Sequence, residues 1–117
     1  MRSAGAYPTF NYHVKGYGGT LHTVAYTADH EDPDHLIAKA REVGAKLIYM
    51  SNPDNPMGTV HSANTIQRMI ESVPEGCLLI LDEAYIDLAP RGSAPALNTK
   101  NDRVIGMRTF SKGYGMA

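Results

Sequence analysis

The apolar residues of the chain follow two rhythms, unbroken short runs and positions recurring every three or four residues. Lys46 to Met50, Leu78 to Leu81 and Arg103 to Met107 have the length and apolar density of strands. Leu78 to Leu81 is apolar at every position, which predicts a central strand covered by helices on both faces. Leu36, Ile37, Ala40 and Val43 instead have the spacing of one helix face, as do Ile66, Met69, Ile70 and Val73.

Punctuation agrees with these periods. Asp32 before Pro33 predicts a helix start and Gly44 its stop, while Ser62 caps the second helix. Pro8 opens a shorter helix through Phe10 and Val14 that ends at Gly16, Gly18 and Gly19, and Thr20 to Tyr26 reads as a strand. Ser51 to Thr59 is crowded with Asn, Asp, Pro and Gly and must be a loop. Strands alternating with helices predict an α/β fold, a three-layer α/β/α arrangement on a mostly parallel sheet of about four strands. A chain of 117 residues has room for one such domain and not two.

Composition narrows the function classes. Eleven basic against twelve acidic residues leave a net charge of -1, so no bulk field gathers nucleic acid or an anionic membrane. No apolar stretch has the length of a membrane span and none reads as a secretory segment, so the expected location is cytoplasmic. Cys77 has no partner for a disulfide and heads an apolar run, which predicts a buried thiol. The five histidines are scattered without metal-ligand spacing, and no metal is expected.

In an open parallel sheet, ligands bind beyond the carboxyl ends of the strands, where loops converge on a rigid support. Three strand ends here run into polar clusters: Asn52 to Gly58, Asp82-Glu83-Ala84-Tyr85, and Thr109-Phe110-Ser111-Lys112. A carboxylate at the mouth of a buried strand would also suit a nucleotide hydrolase. That chemistry needs a phosphate loop, and no Gly-x-x-x-x-Gly-Lys-Ser/Thr occurs in the chain. Taken singly, Asn55 reads as a turn residue, Tyr85 as half-buried packing, Thr109 as a helix cap and Phe10 as core.

Together with Tyr7-Pro8-Thr9-Phe10, and in this order across essentially the whole chain, these segments resemble the signatures of the fold type I, class I/II aminotransferases. The histidinol-phosphate aminotransferase branch is the most similar. The resemblance implies pyridoxal 5'-phosphate (PLP) as cofactor, joined as a Schiff base to Lys112, whose amine would also carry a proton during amino transfer. It implies that Asp82 keeps the pyridine nitrogen protonated and that Asn55 and Tyr85 hydrogen-bond the phenolic oxygen. Thr109 and Ser111 would lie near the phosphate, at a helix start, and Phe10 would stack on the ring. Lys112, Asp82 and Tyr85 are thereby the expected catalytic residues.

The same resemblance implies that residues 1–117 are part of a PLP-binding large domain. By that resemblance the N-terminal arm, the glycine-containing phosphate loop, the remaining sheet strands, the small domain and the arginine that grips the substrate carboxylate are expected to lie outside these residues. The expected partners are an amino acid or amino-alcohol phosphate, a 2-oxo acid, and further copies of the chain in a homodimer or higher oligomer. On its own the chain is expected to be inactive and, with sheet edges uncovered, to self-associate. The alternative readings are a truncated, non-catalytic α/β module that self-associates, and a PLP-dependent decarboxylase of the same fold.

Overall fold

In a computed structural model, which describes residues 1–96 and 99–116, the elements run β1 (Arg2–Ser3), α1 (Thr9–Gly16), β2 (Thr23–Val24), α2 (Pro33–Val43), β3 (Leu47–Ser51), α3 (Ala63–Ser72), β4 (Leu78–Asp82) and β5 (Val104–Met107). The capping signals are realised in the backbone. The Asp32 side chain accepts the His35 N–H at the start of α2, and Gly44 closes that helix at a φ of 61°, a left-handed conformation that glycine adopts without Cβ strain. The Ser62 side chain accepts the Thr65 N–H at the start of α3.

Among the described residues the named strands pair in parallel, and one isolated antiparallel bridge joins Thr27 to His30. β3, β4 and β5 form one ladder with β4 in the middle, and β1 pairs with β2 in a second. The two ladders meet where the Met1 carbonyl accepts the Tyr49 N–H at 2.9 Å.

Strand alternation divides the side chains between two faces. Ile48 and Met50 of β3 and Leu79 and Leu81 of β4 are buried in one core with Leu36, Ile37 and Ala40 of α2 and Ile66, Met69 and Ile70 of α3. The alternate residues Tyr49, Ile80 and Asp82 face the other way, where Phe10 of α1 stacks on Tyr49. Helices thus lie on both sides, giving the three layers that the alternation of elements predicts. Cys77 is a buried free thiol at the base of the core, and burial pushes its pKa up.

Several details differ from the sequence expectations. The strand expected from Thr20 to Tyr26 shrinks to Thr23–Val24, and β1, which carries no apolar pattern, supplies its partner. The sheet is two ladders of two and three strands instead of one of about four. β4 is fully covered on one face only, because Leu78 and Ile80 remain half-buried. No helix begins at Thr109, and the segment after β5 bends at Phe110 to Lys112 and turns at Gly113 and Tyr114. No helix among the described residues is long and apolar enough to cross a membrane.

Candidate functional site

The carboxyl ends of β3 and β4 lie side by side, with Ser51 paired to Asp82 and the Asn52 N–H donating to the Asp82 carbonyl at 2.9 Å. The loop leaving β3 is fixed from within. Buried Asn52 donates from its amide to the carbonyls of His61 and Ser93 and accepts the His61 N–H at 2.8 Å. The Asn55 carbonyl in turn accepts the Tyr7 N–H at 2.9 Å, tying the segment before α1 to this loop.

A cavity of about 300 Å³ opens between these pieces, lined by Tyr7, Tyr49, Ser51, Pro53, Asn55, Asp82, Ala84, Tyr85 and Lys112. Four residues expected from the sequence, Asn55, Asp82, Tyr85 and Lys112, therefore share one space. Lys112 places its Nζ 5.7 Å from the centre of the Tyr85 ring, within range of a cation–π contact. Asp82 is held at both oxygens: Oδ1 accepts the Ala84 N–H at 3.0 Å and Oδ2 accepts the Tyr49 hydroxyl at 2.7 Å.

The remaining expected residues stand apart from this cavity. Phe10 lines an adjoining one with Tyr7, Tyr49, Ile80, Asp82 and Met107, its ring stacked on Tyr49 at 5.0 Å and 17° between planes. Thr109 and Ser111 are outside the lining of both. Their hydroxyls bond each other at 2.8 Å and Thr109 Oγ1 accepts the Ser111 N–H at 3.1 Å, a local turn in place of the expected helix start.

Sequence reasoning missed Tyr49, Ser51 and the carboxylates behind the loop. Parity would have found the first two, since Tyr49 and Ser51 alternate with the core residues Ile48 and Met50. Glu31 is buried, accepting the Ser51 N–H at 2.9 Å and the Ser51 hydroxyl at 3.3 Å. Its pKa is raised to about 7 by burial, against the Ser51 donors and with the help of the charge on Asp54. Asp54 accepts the Tyr26 hydroxyl at 2.8 Å, and burial together with that carboxylate raises the Tyr26 phenol. On the far side of the strand end, Glu83 is 3% exposed and takes the Arg108 Nε at 2.9 Å. Among the described residues no group of three or more His, Cys, Asp or Glu side chains is arranged to hold a metal ion.

The family model for aminotransferase class I and II matches residues 3–117. The chain belongs to this family. It is 37% identical over 119 aligned residues to histidinol-phosphate aminotransferase of Lactiplantibacillus plantarum, covering 98% of this chain and 33% of that protein. It is 35% identical to an aromatic amino acid aminotransferase of Corynebacterium glutamicum, covering 99% of this chain and 34% of that one. Among solved structures, histidinol-phosphate aminotransferase from Sinorhizobium meliloti in complex with pyridoxal-5'-phosphate superimposes with a TM-score of 0.96 at 47% identity, over 98% of this chain and 32% of that one. The chain thus spans about a third of the length of the curated relatives it matches.

Proposed function

We propose that the protein carries the cofactor chemistry of a PLP-dependent aminotransferase of the histidinol-phosphate type, moving an amino group from an amino-alcohol phosphate or amino acid to a 2-oxo acid. The observation that carries this reading is the convergence of Lys112, Tyr85, Asn55 and Asp82 on one cavity at the strand ends. The 47% identity to the Sinorhizobium enzyme favours the histidinol-phosphate branch over the aromatic one.

The donor set fits the cofactor. An amine at one wall suits an aldehyde, a fixed carboxylate at another suits a protonated ring nitrogen, and a phenol with a carboxamide suits a phenolic oxygen. The cavity volume of about 300 Å³ lies at the small end of the range for small-molecule pockets. When bound, PLP supplies an electron sink for the pair left on the substrate Cα as a proton departs.

Each residue then has a task at a stated atom. The Lys112 amine would hold the cofactor at its aldehyde carbon and would carry the proton that leaves the substrate Cα. Asp82 keeps the proton on the pyridine nitrogen by charge and hydrogen bonding. Tyr85 and Asn55 would donate to the phenolic oxygen, while Thr109 and Ser111, outside the cavity lining and bonded to each other, would have to turn toward it to serve the phosphate. Phe10, which lines the adjoining cavity with Asp82, would cover the ring and keep water from it. Further copies of the chain are the expected partners, supported by the exposed apolar residues Ile105 and Met107 on β5.

Amino transfer is tested by supplying PLP, a nitrogen-15-labelled histidinol-phosphate-like amine and a 2-oxo acid, then following the label. Label in the amino acid formed from the 2-oxo acid is expected of a full-length enzyme that contains this chain, and no label transfer by the chain on its own. Carbon dioxide release from amino acids without label transfer would point instead to the decarboxylase, and no turnover by a chain that holds PLP at Lys112 would leave a cofactor-binding module without the transfer reaction.

A further inference from the structure

Tyr49 sits in the middle of β3, two positions before the cavity residue Ser51 and on the same face of the sheet as Ile80 and Asp82. A strand tyrosine on a helix-covered face ordinarily contributes packing and finds one hydrogen-bond partner for its hydroxyl. Here that partner is the Asp82 carboxylate, 2.7 Å away, in a side chain pairing that spans two adjacent strands.

Three features make the contact rigid. Tyr49 is 7% exposed, so its hydroxyl has little water to turn to. Its ring is stacked on Phe10 at 5.0 Å, which limits rotation about the side-chain bonds. The second Asp82 oxygen accepts the Ala84 N–H at 3.0 Å, so the carboxylate is held at both oxygens. A carboxylate oxygen accepts more than one hydrogen bond, and Asp82 lines both cavities, so it retains acceptor capacity toward a ligand. Burial, followed by the bond to Asp82, raises the Tyr49 phenol, as expected for a hydroxyl that stays protonated and donates to a carboxylate.

Building on the PLP reading above, we infer that Tyr49 is a positioning residue, whose hydroxyl orients the Asp82 carboxylate toward the cofactor's ring nitrogen. In this role it acts through Asp82. A charge-assisted hydrogen bond of this kind sets an orientation as well as an energy, and a carboxylate free to rotate would meet the ring nitrogen in only part of its conformations.

The test is a double-mutant cycle on PLP binding, measured by equilibrium dialysis for the unaltered protein, Y49F, D82N and the Y49F/D82N pair, with K112A alongside. Y49F is expected to weaken PLP binding about 10-fold, the scale of one charge-assisted hydrogen bond. In the D82N background the same change is expected to alter affinity less than about 2-fold, because its effect passes through the carboxylate. Equal losses in both backgrounds, or no loss in Y49F, would overturn the inference while leaving the cofactor site standing if K112A and D82N bind poorly. PLP binding that is indifferent to K112A and D82N would overturn the cofactor reading, and the role of Tyr49 with it.

Discussion

The Lys112 ammonium lies 5.7 Å from the centre of the Tyr85 ring, so two turns contributed by different strand ends meet across the cavity. The contact uses the ring face and leaves the Tyr85 hydroxyl for a separate partner. Removing only the hydroxyl therefore separates the two roles. Y85F is expected to keep Lys112 in place and to raise the pH at which the visible band of bound PLP titrates by about one unit, since a donor to the phenolic oxygen has been lost. A spectrophotometric pH titration checks this, and an unmoved midpoint would remove Tyr85 from the proposed set.

Glu31 carries a pH dependence of stability. Its ordinary pKa of 4.5 applies in the unfolded chain and its folded value is about 7, so the native state holds the proton more tightly. The contribution is complete below about 4.5 and is lost as pH rises through about 7, at up to about 1.4 kcal/mol per pH unit. E31Q keeps an uncharged group beside Ser51, and its stability should fall less over this interval. Urea unfolding at about pH 5 and about pH 8 measures the difference, and equal pH dependence in both proteins would contradict the shift.

The ends of α2 have a cost that can be weighed directly. D32A removes the acceptor of the His35 N–H and should destabilise by about 1 kcal/mol. G44A puts a Cβ at a φ of 61° and should cost about 1 kcal/mol. Because α2 packs into the same core as β3 and β4, both losses should appear in the global unfolding transition.

The proposed association would use the surface of β5. Ile105 is 48% exposed and Met107 41% exposed on a strand whose ladder partner is β4. An apolar strand with an unpaired side is a template for further pairing or burial. Light scattering should show dimers or larger species at high concentration, and the I105T/M107T pair should shift them toward monomer. A monomer throughout would contradict this.

The sequence was most informative where one residue type performs one local task. Asp32, Gly44 and Ser62 mark helix ends because their side chains or backbone freedom act within a few positions. The buried faces of α2 and α3 were legible for the same reason, their period being a property of the helix alone. β1 was not legible, because Arg2 and Ser3 become strand through pairing with Thr23 and Val24 and not through any pattern of their own. The buried Arg2 guanidinium is satisfied by the Ser3, Ala6 and Tyr7 carbonyls and the Asn11 side chain, contacts that only the folded chain brings together.

The site divides likewise. Asn55, Asp82, Tyr85 and Lys112 were expected because the segments after three strand ends resemble the family's signatures; taken singly, Asn55 and Tyr85 read as turn and packing residues. Tyr49 was hidden within a strand as apparent core, and its link to Asp82 depends on the β3–β4 register. Glu31 and Asp54 are buried carboxylates whose partners, Ser51 and Tyr26, lie far away in sequence. The turn at Thr109 and Ser111 replaced an expected helix because the two hydroxyls and the Ser111 N–H satisfy one another locally.

Adding PLP, reducing with borohydride and mapping the modified lysine by mass spectrometry tests directly whether Lys112 is the cofactor lysine. Labelling confined to Lys112, with a visible absorption band that K112A abolishes, is the expected result. Labelling spread over Lys15, Lys39, Lys46, Lys100 and Lys112 alike, with no such band, would contradict it.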